Sequence, residues 1–173
     1  ETLFKTLIKY APIALVHPGD YKARAELMYA CTFGCNGSLA LGAGISNWPM
    51  HSIEHALSAY YDITHGEGLA IITPWWMRHV LNGSTLPRFV KFGINVFGID
   101  ASLPEPEIAK EAIDATARFF TELGIPMRLR DVGIDESRLR EMAEHVAAEG
   151  LDNPAFFAPL TADDIYAIYK AAL

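Results

Sequence analysis

Apolar residues at three- and four-residue spacing, stopped repeatedly by capping and helix-breaking residues, run through almost all of this chain, and few stretches alternate apolar with polar side chains. No other feature constrains the fold as strongly, because a 3.6-residue period builds helices and a period of two builds strands. It predicts an all-α helical bundle. Leu3, Phe4, Leu7 and Ile8 begin a first helix that ends near His17-Pro18-Gly19. Asp20 offers a cap for a second helix through YKARAELMYACTF, with Ala23, Leu27, Ala30 and Cys31 on its inner stripe. A third is expected from His51 to about Tyr61, followed by a turn through Asp62 to Gly66. GLAIITPWWMRHVL then reads as a long apolar helix in which Pro74 starts a new turn or a kink. After a break at Asn82-Gly83-Ser84, Phe89, Val90, Phe92 and Val96 mark another helix. Pro104-Glu105-Pro106 opens an amphipathic helix whose buried stripe is Ile108, Ala112, Ala115 and Phe119, widened by Ile113 and Phe120. Asp135 or Ser137 is expected to cap LREMAEHVAAEG, stopped by Gly150, and Thr161 with Asp164 reads as a capping box before DIYAIYKAAL.

A chain of 173 residues, 51% of them apolar, fits one globular domain spanning 1–173. The net charge of −7, without a basic block, argues against nucleic-acid or anionic-membrane binding. No run reaches the ~18–20 uncharged apolar residues of a membrane span. The opening ETLFKTLIKYAP lacks the parts of a signal peptide, and it begins with Glu rather than Met, as a piece of a longer protein would. Cys31 and Cys35 stand four apart, off the CxxC spacing, and are expected to be reduced, mostly buried thiols of a cytosolic protein. The Gly-rich run GCNGSLALGAGISNWP permits close backbone approach to another element or a ligand.

Three of the six histidines, His51, His55 and His65, fall within fifteen residues. On a helix His51 and His55 share one face, and a turn before His65 brings it back toward them. Such a trio suits an open metal site, while the alternative is a set of surface or hydrogen-bonded core histidines. HSIEH also fits the HxxEH pattern of a zinc peptidase, with Glu54 as general base. Against that reading, no downstream glutamate stands in a matching context, and on a helix Glu54 points about 100° away from His55. His17, His79 and His145 read as loop, amphipathic-helix and helix-surface residues outside any site. Trp48, Trp75 and Trp76 read as packing residues, with an apolar substrate pocket as their second reading.

The runs ETLFKTLIKYAP, YKARAELMYACTFGCNG, GAGISNWPMHSIEHALSAYYDITHGEGLAIITPWWMRH and LTADDIYAIYKAAL together resemble the C-terminal helical domain of the iron-containing, group III alcohol dehydrogenases, in the butanol dehydrogenase-like branch. That resemblance implies the helical domain of the dehydroquinate synthase-like fold. It implies a metal, Fe2+ or Zn2+, held by one Asp and three His. His51 and His65-Gly66, fourteen residues apart, match two of those histidines. His55 matches the residue beside substrate and nicotinamide, to which a proton-relay or positioning role is given. The implied reaction interconverts small primary alcohols and aldehydes with NAD(P)H, the nucleotide being bound mainly by an N-terminal domain. A cytoplasmic location is expected from the two thiols, and a homodimer is expected, for which apolar helices such as GLAIITPWWM offer a contact. No D-x-x-x-H pattern precedes His51, and no phosphate-cradling glycine loop follows a strand. The chain is therefore expected to supply about half of an enzyme and half of its metal site, and by itself to bind metal weakly and be inactive. The other readings are a standalone helical binding domain without catalysis and the HxxEH peptidase.

Overall fold

The computed structural model describes residues 1–41 and 47–173; Gly42, Ala43 and Gly44 of the glycine-rich run lie outside them. The described residues contain no strand, and eight α-helices carry the fold. They are α1 (Thr2–Val16), α2 (Tyr21–Cys35), α3 (Pro49–Tyr61), α4 (His65–Val80), α5 (Leu86–Phe92), α6 (Glu105–Glu122), α7 (Leu139–Ala147) and α8 (Ala162–Ala172). They form two compact units, residues 1–41 with 86–123 and residues 47–85 with 124–173.

In the first unit α1 packs on α2, and α5 packs on α6 together with a π-helical turn over Gly93–Phe97. Asp20 caps α2 as expected, its side chain accepting from Ala23 N at 2.9 Å. The rings of Phe4 and Phe92 meet edge to face at 5.4 Å and join α1 to α5. Gly93 lets the π turn approach α6: a Cβ there would sit 3.1 Å from Ala112 Cβ and from Ile108 Cγ2. The buried stripe of α6 is rotated from the one expected. Ile108, Ala112 and Ile113 are buried with Ala109 and Thr116, while Ala115, Phe119 and Phe120 are only partly covered. Cys31 and Cys35 are free and exposed, not buried, on a helix that also exposes Tyr21, Met28 and Tyr29. Apolar character predicted burial there that the described chain does not supply.

In the second unit α3 packs on α4 and α7, and α8 packs on α4 and α7. Ile53, Leu57, Ile71, Ile72 and Met142 are fully buried at its centre, each contributing roughly 1.5–3 kcal/mol of apolar transfer. Tyr169 of α8 is also fully buried, and its hydroxyl donates to Ile53 O of α3 at 2.6 Å. Burial, reinforced by the Glu54 charge, drives the Tyr169 pKa far above the ordinary tyrosine value, so this hydroxyl remains a donor. The turn between α3 and α4 is shorter than the sequence suggests. Asp62 adopts a left-handed conformation at φ 55°, which aspartate tolerates, and His65 is already the first residue of α4. Pro74 neither divides nor ends α4, which continues to Val80.

The expected cap of α7 is displaced. Asp135 accepts from the Ser137 backbone and hydroxyl within a turn, and the helix begins at Leu139 after Arg138, without a side-chain cap. It ends at Ala147, short of Gly150. The capping box of α8 is present: Thr161 N donates to Asp164 Oδ2 at 2.8 Å, and Asp164 N to Thr161 Oγ1 at 3.3 Å. The other Asp164 oxygen lies 2.9 Å from His79 Nε2, tying the end of α4 to the start of α8. Thr161→Ala is expected to cost about 1 kcal/mol, read as a lower urea midpoint with an unchanged slope.

Candidate metal centre

The α3–turn–α4 hairpin brings His51, His55 and His65 together, as the sequence pattern leads one to expect. His51 and His55 project from successive turns of α3 with ring centroids 6.1 Å apart, and His65 at the start of α4 closes the triangle at 5.3 Å from His51 and 5.2 Å from His55. His55 and His65 are exposed, whereas His51 is half-buried beneath the edge of Trp48, whose ring centre is 4.7 Å away. Burial, then the neighbouring imidazoles of His65 and His55, lower the His51 pKa below the ordinary histidine value, with Glu54 opposing them. That environment favours the neutral ring a metal requires. His51 Nδ1 is buried and has no partner among the described residues. Imidazoles clustered in this way form a donor set suited to iron or zinc.

Glu54 is the residue that sequence reasoning undervalued. It is fully buried in α3, with one carboxylate oxygen bonded to His65 Nδ1 and the other accepting from Ser58 Oγ at 2.5 Å. As Glu54 lies about 100° around α3 from His55, it turns inward beneath α4 and not outward with the histidine. The signal that could have found it is Gly68, three residues beyond His65 at the start of a helix that runs on through bulky apolar residues. A Cβ at 68 would lie 2.7 Å from both Cγ and Oε1 of Glu54 and 3.0 Å from Ile63 Cδ1. The carboxylate thus occupies the space that a side chain would fill. Gly68→Ala is expected to destabilise, because overpacking of about 1–3 kcal/mol outweighs a helix-propensity gain of at most about 1 kcal/mol. An unfolding midpoint at or above that of the wild type would contradict this.

Donor atoms of Glu54, His55 and His65 also lie within 4.8 Å of one another, so two overlapping ligand sets exist in this cluster. Glu54, however, already uses both oxygens inside the protein. Of the other histidines, His79 pairs with Asp164 and His145 meets Tyr60. Trp75 is packed between the guanidinium groups of Arg78 and Arg128 at 4.9 and 4.7 Å, the structural role expected of it. No helix among the described residues is long and apolar enough to cross a membrane.

The sequence matches the Fe-containing alcohol dehydrogenase family, C-terminal, over residues 1–173. It is 47% identical over 170 residues to NADH-dependent butanol dehydrogenase A of Clostridium acetobutylicum, a match covering 98% of this chain and 43% of that protein. An NADPH-dependent aldehyde reductase of Escherichia coli is 31% identical over 174 residues, with 99% and 44% covered. The crystal structure of NADH-dependent butanol dehydrogenase A from Thermotoga maritima superposes with a TM-score of 0.86 at 32% identity, covering 99% of this chain and 44% of that one. The chain spans less than half the length of these relatives.

Proposed function

The chain belongs to the iron-containing alcohol dehydrogenase family, whose C-terminal part it matches, and on that footing we propose that it serves a metal- and NAD(P)-dependent enzyme interconverting primary alcohols and aldehydes. His51 and His65 hold the metal and His55 handles the proton. The observation that carries this reading is the convergence of three imidazoles at 5.2–6.1 Å on one hairpin, two of them at the family's fourteen-residue spacing.

A bound Fe2+ or Zn2+ supplies Lewis acidity, which lowers the pKa of an alcohol or polarises an aldehyde carbonyl. The chain's own residues do the rest. His51 presents a neutral ring, kept so by burial, and His65 presents a ring anchored on Glu54. His55 is exposed beside both and lines a surface pocket with His145 and Glu149. From there its imidazole accepts the proton of an alcohol, or returns one to a nascent alkoxide, and exchanges it with water. NAD(P)H is bound mainly outside this chain, in the portion of the longer relatives that it does not span, with His55 beside its nicotinamide. The peptidase reading fares worse, since a general base must reach water and Glu54 is fully buried with both oxygens engaged.

The test is turnover of butanal with NADH and NADPH by the full-length protein, before and after removal of metal with a chelator. Activity that vanishes with the metal and returns with Fe2+ or Zn2+ is expected. Undiminished reduction by metal-free protein would refute the reading.

A further inference from the structure

A buried carboxylate is costly unless its lone pairs are satisfied, so the surroundings of Glu54 indicate what it is for. Ser58, one turn along α3, donates to one oxygen. Gly68, in the first turns of α4, clears the volume, and the adjoining helix N-terminus favours negative charge. The second oxygen is bonded to His65 Nδ1. A carboxylate only accepts, so this bond requires a proton on Nδ1 and leaves the lone pair of His65 on Nε2.

We infer that Glu54 is a positioning residue that locks His65 in the Nδ1–H tautomer and thereby assigns Nε2 as its ligand atom. The inference rests on the proposed ligand role of His65. In this arrangement Glu54 touches neither metal nor substrate. It fixes the angle of the His65 ring and raises the basicity of the coordinating nitrogen, as carboxylates behind metal-bound histidines do. The same burial that bars Glu54 from acting as a general base suits it to this task.

The tautomer is measured directly in metal-free, full-length protein from the 15N shifts of His65. A protonated Nδ1 with an unprotonated Nε2 is expected, and the reverse overturns the inference without recourse to any variant. Co2+ affinity, measured by chelator competition with the Co2+ visible spectrum recorded alongside, supplies the second readout. Glu54→Leu is expected to weaken Co2+ binding 10–100-fold. Glu54→Gln, whose amide oxygen still accepts from Nδ1–H, is expected to recover most of that loss with the wild-type spectrum. Equal affinity in Glu54→Leu and wild type overturns the inference, as does a changed spectrum in Glu54→Gln, which would make Glu54 itself a ligand. His65→Ala distinguishes the two levels of the account. If it binds Co2+ as the wild type does, the ligand assignment fails, whatever the tautomer.

Discussion

Replacing His51 or His65 by alanine in the full-length protein is expected to weaken metal binding more than ~100-fold, beyond the 10–100-fold typical of losing a supporting partner. Each substitution removes a coordinating nitrogen that no neighbour replaces. At position 51 the lost ring is the one whose pKa burial depresses, so the wild-type site starts with a ligand already neutral. At position 65 the loss also strips Glu54 of the donor for one oxygen, leaving a buried carboxylate half satisfied. His65→Ala is therefore expected to lower folding stability as well, whereas His51→Ala releases a ring with no hydrogen-bond partner for Nδ1 among the described residues. Metal content by elemental analysis, with unfolding midpoints of the apo variants, checks both statements. Retention of a full metal equivalent in either variant would refute the ligand assignment.

His55→Gln is expected to behave in the opposite way, retaining the metal while losing rate. Its ring lies 5.2 Å from that of His65, on the exposed side of the cluster, and its task is to move a proton. Losing general acid–base catalysis costs typically 10²–10⁴-fold, so kcat for alcohol oxidation is expected to fall by about that factor. Glutamine preserves size and polarity but does not titrate, which separates proton transfer from simple filling of space. Metal content equal to wild type with a depressed kcat supports the assignment. Metal lost in proportion to activity would make His55 a ligand.

Features fixed by neighbours a few residues away were readable from the sequence. Asp20 caps α2, Thr161 and Asp164 form their box, and the clustering of His51, His55 and His65 follows from one helix and one tight turn. Features fixed by packing between helices were not. Glu54 reads in the sequence only as the general base of an HxxEH pattern, because its actual partner, the first turn of α4, is reached only through the left-handed Asp62. The inner stripe of α6 is rotated because Gly93 draws the π turn against Ile108 and Ala112. Cys31 failed in the other direction: it sits on an apolar stripe whose expected cover is absent from the described chain, and it is exposed. A chain that matches 43–44% of its relatives' length leaves such surfaces legible as apolar without showing what meets them.

The most direct measurement of the central claim is a crystal structure of the full-length protein soaked with Zn2+, with the ion located by its anomalous signal. The account predicts Nε2 of His65 and a ring nitrogen of His51 at about 2.0–2.1 Å from the ion, with Glu54 still on His65 Nδ1 and His55 outside the coordination shell. An ion bound instead by Glu54, His55 and His65, with His51 uninvolved, would contradict it.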